Sequence, residues 1–581
     1  MKYPDFSALM IFHLGLTGAV MASASAAGAV YHVDPASGSM ANPGTAVQPW
    51  STLEAVFKAN KTFAAGDEIV LRGGYHGAPT VKGNNSGDVT IRPDTGAIPK
   101  LRNLVVNSGA RWVIVGLDIC PGNEVPGSGY DGTVVEIESS ASRITLRDCT
   151  VRSALSTNGW TVDNWKDLTM RGIRTAATYT TLSNNRVETT SFGITTRKTA
   201  TFALVSNNLI KAFSHDGIQA LADDGVFESN TVTDAYVSDS SHNHDDFFQS
   251  WSSPVEGSNS VGGTTVYRIT LRGNIFISRT SASQPFAANP QGIGCFDGYY
   301  EGWVIENNVI ATKAGHGIAL YGAIDCRVVN NTVVENPFDS AGGSTRPWIK
   351  IAPHKSRTTP ASGNLIRNNI SAKPVDAVAG SATVDFHHTT TDYSSFFTNP
   401  AAFDYSLKAT SPARDGGSAS VAPPADITGA SRAVPYDVGA HEFRANSVAT
   451  YEQWLAANGL PPDGSGDGAP GIDPMDDGVS NAMKFALGLP LETRGYGGRV
   501  TTGLMTSGGL TYLALTFVHP DPSPAGLIYQ VRTAADLDGW SASSTFVVSD
   551  TVTDGLRTKV VRDVVPTGGG AARRFIRLVV E

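Results

Sequence analysis

Asn184-Asn185-Arg186-Val187 returns as Asn207-Asn208-Leu209-Ile210, Asn307-Asn308-Val309-Ile310, Asn330-Asn331-Thr332-Val333 and Asn368-Asn369-Ile370-Ser371. Looser copies stand at Asp148-Cys149-Thr150-Val151, Ser229-Asn230-Thr231-Val232 and Gly273-Asn274-Ile275-Phe276. The phrase is a polar pair, any residue, then an apolar one. Its shortest steps are 23 residues (185 to 208) and 22 residues (208 to 230), and longer steps carry insertions. Short apolar alternations on such a period, without helical spacing, indicate a solenoid of stacked strands. Each coil then places its second Asn at the same bend, above that of the preceding coil, so that the side-chain amides donate and accept along a column. Asn-rich turns in a β-sandwich would not keep the period.

Composition agrees. Sixty-one glycines, 17% charged and 41% hydrophobic residues describe an all-β chain with many tight bends, and a net charge of -9 argues against nucleic acid as a partner. Residues 1–26 read as a signal peptide: Lys2, an apolar run from about Leu9 to Met21, and the small residues Ala24-Ser25-Ala26 before cleavage near Ala26. No later stretch is long and apolar enough to span a bilayer, so the expectation is an exported monomer, extracellular or periplasmic. Cys120, Cys149, Cys295 and Cys326 lack metal-type spacing and occupy unlike positions in the repeat, which predicts buried free thiols.

The mature N-terminus, from Tyr31-His32-Val33-Asp34 to Pro49-Trp50, leads into Ser51-Thr52-Leu53-Glu54, a capping box with Ser51 as N-cap and a short helix to about Asn60, followed by the strand within Gly66-Asp67-Glu68-Ile69-Val70-Leu71. With the repeat, this entry resembles the right-handed parallel β-helix of secreted, pectate-lyase-like carbohydrate-active enzymes. The resemblance implies that the helix covers an open strand edge and that residues 27–445 form the catalytic solenoid. It is specific for fold, because lyases, hydrolases, epimerases and adhesins share this architecture. Residues 446–490 read as an acidic Gly/Pro-rich linker with a short helix. Within it Asp463, Asp467 and Asp473 suggest a calcium loop, although Pro474 stands where an EF-hand has its bidentate Glu. Alternating runs in 491–581 indicate a small β-sandwich-like module.

A second register precedes each Asn pair: Arg171-Gly172-Ile173-Arg174, Phe192-Gly193-Ile194-Thr195, Asp216-Gly217-Ile218-Gln219, Asp246-Phe247-Phe248-Gln249, His316-Gly317-Ile318-Ala319 and Pro347-Trp348-Ile349-Lys350. The central apolar residue faces the core and its polar neighbours collect on one outer stripe, with adjacent coils about 4.8 Å apart. Two coils carry nearly the same sentence, His215-Asp216-Gly217-Ile218-Gln219 and His244-Asp245-Asp246-Phe247-Phe248-Gln249, the second one residue longer. Carboxylates about 5 Å apart repel, and either one pKa rises to make a general acid or a cation is bound. Insertions at 155–166, 254–264 and 339–345 are expected to wall a groove in which Trp160, Trp165, Trp251, Tyr299 and Tyr300 stack on sugar rings.

These residues suggest a polysaccharide as partner and no organic cofactor. The first reading is β-elimination on a uronic-acid polymer of the alginate or pectin kind. There Asp216 with Asp245 or Asp246 holds calcium, Arg171, Arg174 or Arg197 (with Lys198 beside it) pairs the uronate, and His215 or His244 takes the C5 proton. Gln219, Gln249, Trp251 and Lys350 contribute to binding. The alternative is hydrolysis by an Asp acid/base pair. The order Asp216, Asp245-Asp246, Gly315-His316-Gly317 and Arg346 with Lys350 is similar to that of polygalacturonase-type hydrolases, with one extra coil interposed. C5 epimerisation and noncatalytic glycan binding complete the alternatives.

Overall fold

The computed structural model describes residues 28–123, 132–237, 245–254, 262–339, 345–355, 360–443, 450–507, 510–521, 523–524, 527–535, 540–542, 544–553, 556–567 and 574–580. The proposed signal peptide and His244 lie outside the described residues.

From Val30 to Thr389 the chain winds as a parallel β-helix, each coil pairing its strands in parallel with those of the next. One face stacks Arg171–Thr175, Ile194–Thr196, Ile218–Ala220, Asp246–Trp251, Gln291–Asp297, His316–Tyr321 and Trp348–Ala352. A second stacks Thr181–Ser183, Leu204–Ser206, Val226–Glu228, Thr270–Arg272 and their successors. After the Asn bend a third stacks Arg186–Thr190, Leu209–Phe213, Thr231–Ala235 and Ile275–Ile277.

The bend explains why two polar residues stand together. The first of the pair takes a left-handed backbone: φ is 54° at Asn184, 55° at Asn207, 53° at Asn330 and 63° at Gly273, a region Asn, Asp and Gly enter at least cost. The second is sealed inside and forms the ladder. Asn208 Oδ1 accepts from the backbone N–H and the Nδ2 of Asn185, both at 3.0 Å, and Asn230 Oδ1 does the same for Asn208. Asn274, Asn308, Asn331 and Asn369 continue the column. Inside the tube, Ile173, Ile194, Ile218, Phe248, Ile293, Ile318 and Ile349 form one apolar column of a single continuous core.

At the entry end the helix is Leu53–Lys58 and its N-cap is Thr52, not Ser51: Thr52 accepts from the Ala55 N–H. Glu54 does not close a capping box. Its carboxylate pairs with Lys58 at 2.6 Å and receives the Ala78 N–H at 3.2 Å. Toward the other end, residues 393–443 pack a second core against the outer side of the third face, through Ile277, Val309, Val334, Phe396, Phe397 and Val438. Arg432 and Glu442 form a buried ion pair at 2.9 Å there. The four cysteines are buried free thiols, as expected. Burial pushes the Cys149 thiol up to about 12 and Cys326 up to about 11.

Residues 451–491 carry two helices, Tyr451–Ala457 and Asn481–Ala486, around Trp454, Leu455 and Phe485. The last residues form an antiparallel sheet of Val500–Ser507, Leu510–Pro520, Leu556–Thr567 and Thr545–Thr553, with a two-stranded ribbon of Tyr529–Ala534 and Phe575–Val580.

Candidate functional site

Strand register turns the stripe into two columns. Gln219 pairs with Gln249 and Ile218 with Phe248, so Asp246, not Asp245, stands in the column of Asp216, and the extra residue of the second phrase lies upstream. Continued by register and hydrogen bonding, the first column reads Arg171, Phe192, Asp216, Asp246, Gln291, His316 and Trp348. The second reads Glu136, Arg174, Thr195, Gln219, Gln249, Gly294, Ala319, Lys350 and Asp376.

Asp216 and Asp246 are the centre. They are 1% and 0% exposed, while Arg171, Phe192, Gln249, Gln291 and His316 around them are half-buried. Each acid is clamped by the glutamine three residues on: Gln219 Nε2 donates to Asp216 Oδ2 at 2.7 Å and Gln249 Nε2 to Asp246 Oδ2 at 2.9 Å. The Asp246 backbone N–H donates to Asp216 Oδ1 at 3.0 Å and ties the two coils together. Asp246 Oδ1 is buried without a hydrogen-bond partner among the described residues. Gly294 makes room for it, since a Cβ there would lie 2.1 Å from this oxygen.

Burial pushes the Asp216 carboxyl up to about 7, against the downward pull of the Gln219 amide, the Asp246 N–H and Arg171. Asp246 is driven well above the carboxylate range by burial, then by the charges of Asp216 and Asp245. Both carboxyls are therefore held above the ordinary carboxylate range, Asp246 more than Asp216, so that as pH rises Asp216 is the first of the two to ionise. The Arg171 guanidinium lies 4.0 Å from the Phe192 ring centroid, leaning from its own coil toward Asp216. Other cations of the stripe are committed: Arg174 to Glu136 at 2.6 Å and Lys350 to Asp376 at 2.5 Å. Arg197 and Lys198 are exposed just past Ile194–Thr196.

His316 stands two coils beyond Asp246, its Nδ1 2.6 Å from Gln291 Oε1 and its ring beside Phe296 and Trp348. Burial lowers its pKa, so the ring is neutral at pH 7 and donates from Nδ1. His215 tilts against Phe192 with centroids 4.8 Å apart. Asp245 offers its carbonyl to the Gln291 N–H at 2.7 Å.

Two of the expected sugar-stacking aromatics are structural instead. Trp165, on the inserted helix Val162–Asp167, is buried and stacked on Tyr236 at 3.9 Å, and Tyr300 is a core residue whose hydroxyl donates to the Ser250 carbonyl. Trp251 remains half-buried at a cavity of about 280 Å³, lined also by Gln249, Ser250, Gly294, Phe296 and Asp297. Gln291, Gly294 and Phe296 were not singled out from sequence, yet Gln291-Gly292-Ile293-Gly294 obeys the template of the other coils and marks them.

Among the described residues, no group of three or more His, Cys, Asp or Glu side chains is placed to hold a metal ion. Three of the four carboxyl oxygens of Asp216 and Asp246 already accept N–H donors, a set that suits a shared proton and not the six to eight oxygens calcium takes. Asp463, Asp467 and Asp473 serve turns: Asp463 receives the Ser465 N–H, Asp473 the Gly478 N–H, and the Asp467 carbonyl the Asn481 amide.

No family model and no curated protein matches this chain. Among solved structures it is similar to pectate lyase Pel9A, at 13% identity and a TM-score of 0.43, over 71% of this chain and 96% of that one. It is also similar to a rhamnogalacturonan lyase, at 14% identity and a TM-score of 0.36, over 64% and 91%. A third likeness is to the A-module of the Azotobacter vinelandii mannuronan C-5 epimerase AlgE6, at 12% identity and a TM-score of 0.32, over 58% and 93%.

Proposed function

We propose that this chain is a polysaccharide-processing enzyme whose reactive centre is the Asp216–Asp246 pair, and that it cleaves a uronic-acid-containing glycan by β-elimination. The observation that carries this reading is the pair itself, two buried, amide-clamped carboxyls stacked on adjacent coils in the column that begins at Arg171. Arg171 meets the sugar carboxylate and stabilises the charge that develops when C5 loses its proton. Ionised Asp216, nearer Arg171, takes that proton. The C4–O4 bond breaks as C4=C5 forms, and protonated Asp246 gives its proton to the departing glycosidic oxygen. The proton count of the pair is unchanged, so transfer between the two carboxyls restores the starting state.

Hydrolysis remains the second reading, since an acid/base pair of carboxyls serves it equally. The burial of both acids supports a third, a purely structural polar pair. One experiment separates them: polysaccharides with and without uronic acid, assayed for conjugated double bonds and for new reducing ends, with wild type and Asp246→Asn. Double bonds that vanish in the variant support elimination, and reducing ends alone select hydrolysis. An active, folded Asp246→Asn enzyme leaves the pair a structural role.

A further inference from the structure

The two ends of the stripe differ in charge, and the acid pair lies between them. On the side of the preceding coil is Arg171, carried over Phe192 and unpaired with any carboxylate among the described residues. On the side of the following coil is the cavity of about 280 Å³ lined by Trp251 and Phe296 and by the polar residues Gln249, Ser250 and Asp297. Among the described residues, no cation lines that cavity. Lys355 is paired with one of the cavity's lining residues, Asp297, at 3.3 Å. A sugar carboxylate placed there would meet the carboxylate of Asp297. Two rings and a carboxamide suit an uncharged pyranose, which stacks its apolar face and donates its hydroxyls.

We infer that the substrate is a heteropolymer in which uronic acid is linked to uncharged sugar, the uronate lying on Arg171 and the uncharged sugar in the Trp251–Phe296 cavity. This rests on the reading of Asp216 and Asp246 given above and deepens it. Two coil steps of about 4.8 Å separate Phe192, under the Arg171 guanidinium, from the coil of Trp251, and the scissile bond would cross the coils of Asp216 and Asp246 between them. The polarity follows as well. Asp216, beside Arg171, faces C5 of the uronate, and Asp246, beside the cavity, faces the oxygen that leaves with the uncharged sugar. Cleavage then yields an unsaturated uronate at one new end and an uncharged reducing sugar at the other.

The test offers the enzyme a homopolymer of uronic acid and, separately, polymers alternating uronic acid with a neutral hexose, deoxyhexose or N-acetylhexosamine. At least ten-fold faster double-bond formation on an alternating polymer, with the uncharged sugar at the new reducing end, is expected. Equal or faster cleavage of the homopolymer overturns the inference. A second arm does not need turnover: calorimetric binding of oligosaccharides from both polymers to Asp246→Asn. The alternating oligosaccharide should bind at least ten-fold tighter, and adding Trp251→Ala should remove that advantage. If it binds so but no polymer gives double bonds, elimination fails while the subsite stands. Tighter binding of the oligouronate refutes the subsite.

Discussion

Asp246 is the residue on which the proposed chemistry turns. Its Oδ1 sits in the space left by the missing side chain of Gly294, and Gln249 fixes the other oxygen. Gly294→Ala drives a methyl into that oxygen and should lower turnover at least a hundred-fold while the thermal midpoint moves by only a few degrees, measured by activity and melting side by side. The pair also makes stability pH-dependent. An acid whose folded pKa is raised stabilises the fold fully below its unfolded value, here 3.8, and that contribution is lost as pH climbs to about 7. A shift of this size is worth roughly 4 kcal/mol. The wild-type midpoint should therefore fall between pH 4 and pH 7, and Asp216→Asn should flatten that slope and melt higher than wild type at pH 8. A wild-type midpoint independent of pH would contradict the assigned protonation. At this scale the sequence was readable in part. The phrase His215-Asp216 and its echo located the pair, but which of Asp245 and Asp246 joins it depends on where an extra residue is absorbed, and only strand pairing decides that.

Among elements, the Asn ladder supplies the vertical register on which the columns depend. Asn208 Nδ2 donates to Leu182 O, Ser206 O and Asn230 Oδ1 at 2.9, 3.1 and 3.0 Å, all buried. Asn208→Ala strands several buried polar groups at once and should cost about 3 kcal/mol in urea unfolding, because an unmade buried hydrogen bond costs about 1 to 3 kcal/mol. A loss below about 1 kcal/mol would show that the coils hold register without it. The ladder was legible because its spacing repeats, and its first members because left-handed backbone selects Asn, Asp and Gly. The helix cap was not: Ser51 and Thr52 are both good N-caps, and Glu54, which would close the box with Ser51, instead reaches Ala78 in the loop after Gly74–Tyr75. Trp165 was likewise read as exposed, because its partner Tyr236 is distant in sequence.

Across the whole molecule, among the described residues, the two cores of residues 31–443 contain no side chain beyond Phe443, and those of residues 451–578 none before Tyr451. A chain ending at Phe443 should fold and keep its full rate on soluble substrate. A loss of secondary structure by circular dichroism on truncation would refute that independence. The solenoid explains why a column of residues as far apart as Arg171 and His316 was legible in one dimension: winding turns a period along the chain into a column in space. The charge difference along the groove was not legible, since it depends on which cations are already paired, as Arg174 and Lys350 are. The central claim, that Asp216 and Asp246 perform proton transfer on a uronate glycan, is tested most directly by the rate of double-bond formation against pH for wild type and Asp246→Asn. The account predicts a wild-type rate governed by an ionisation near pH 7 and a folded variant at least a thousand-fold slower at every pH, whereas a variant that keeps the wild-type rate and profile would contradict it.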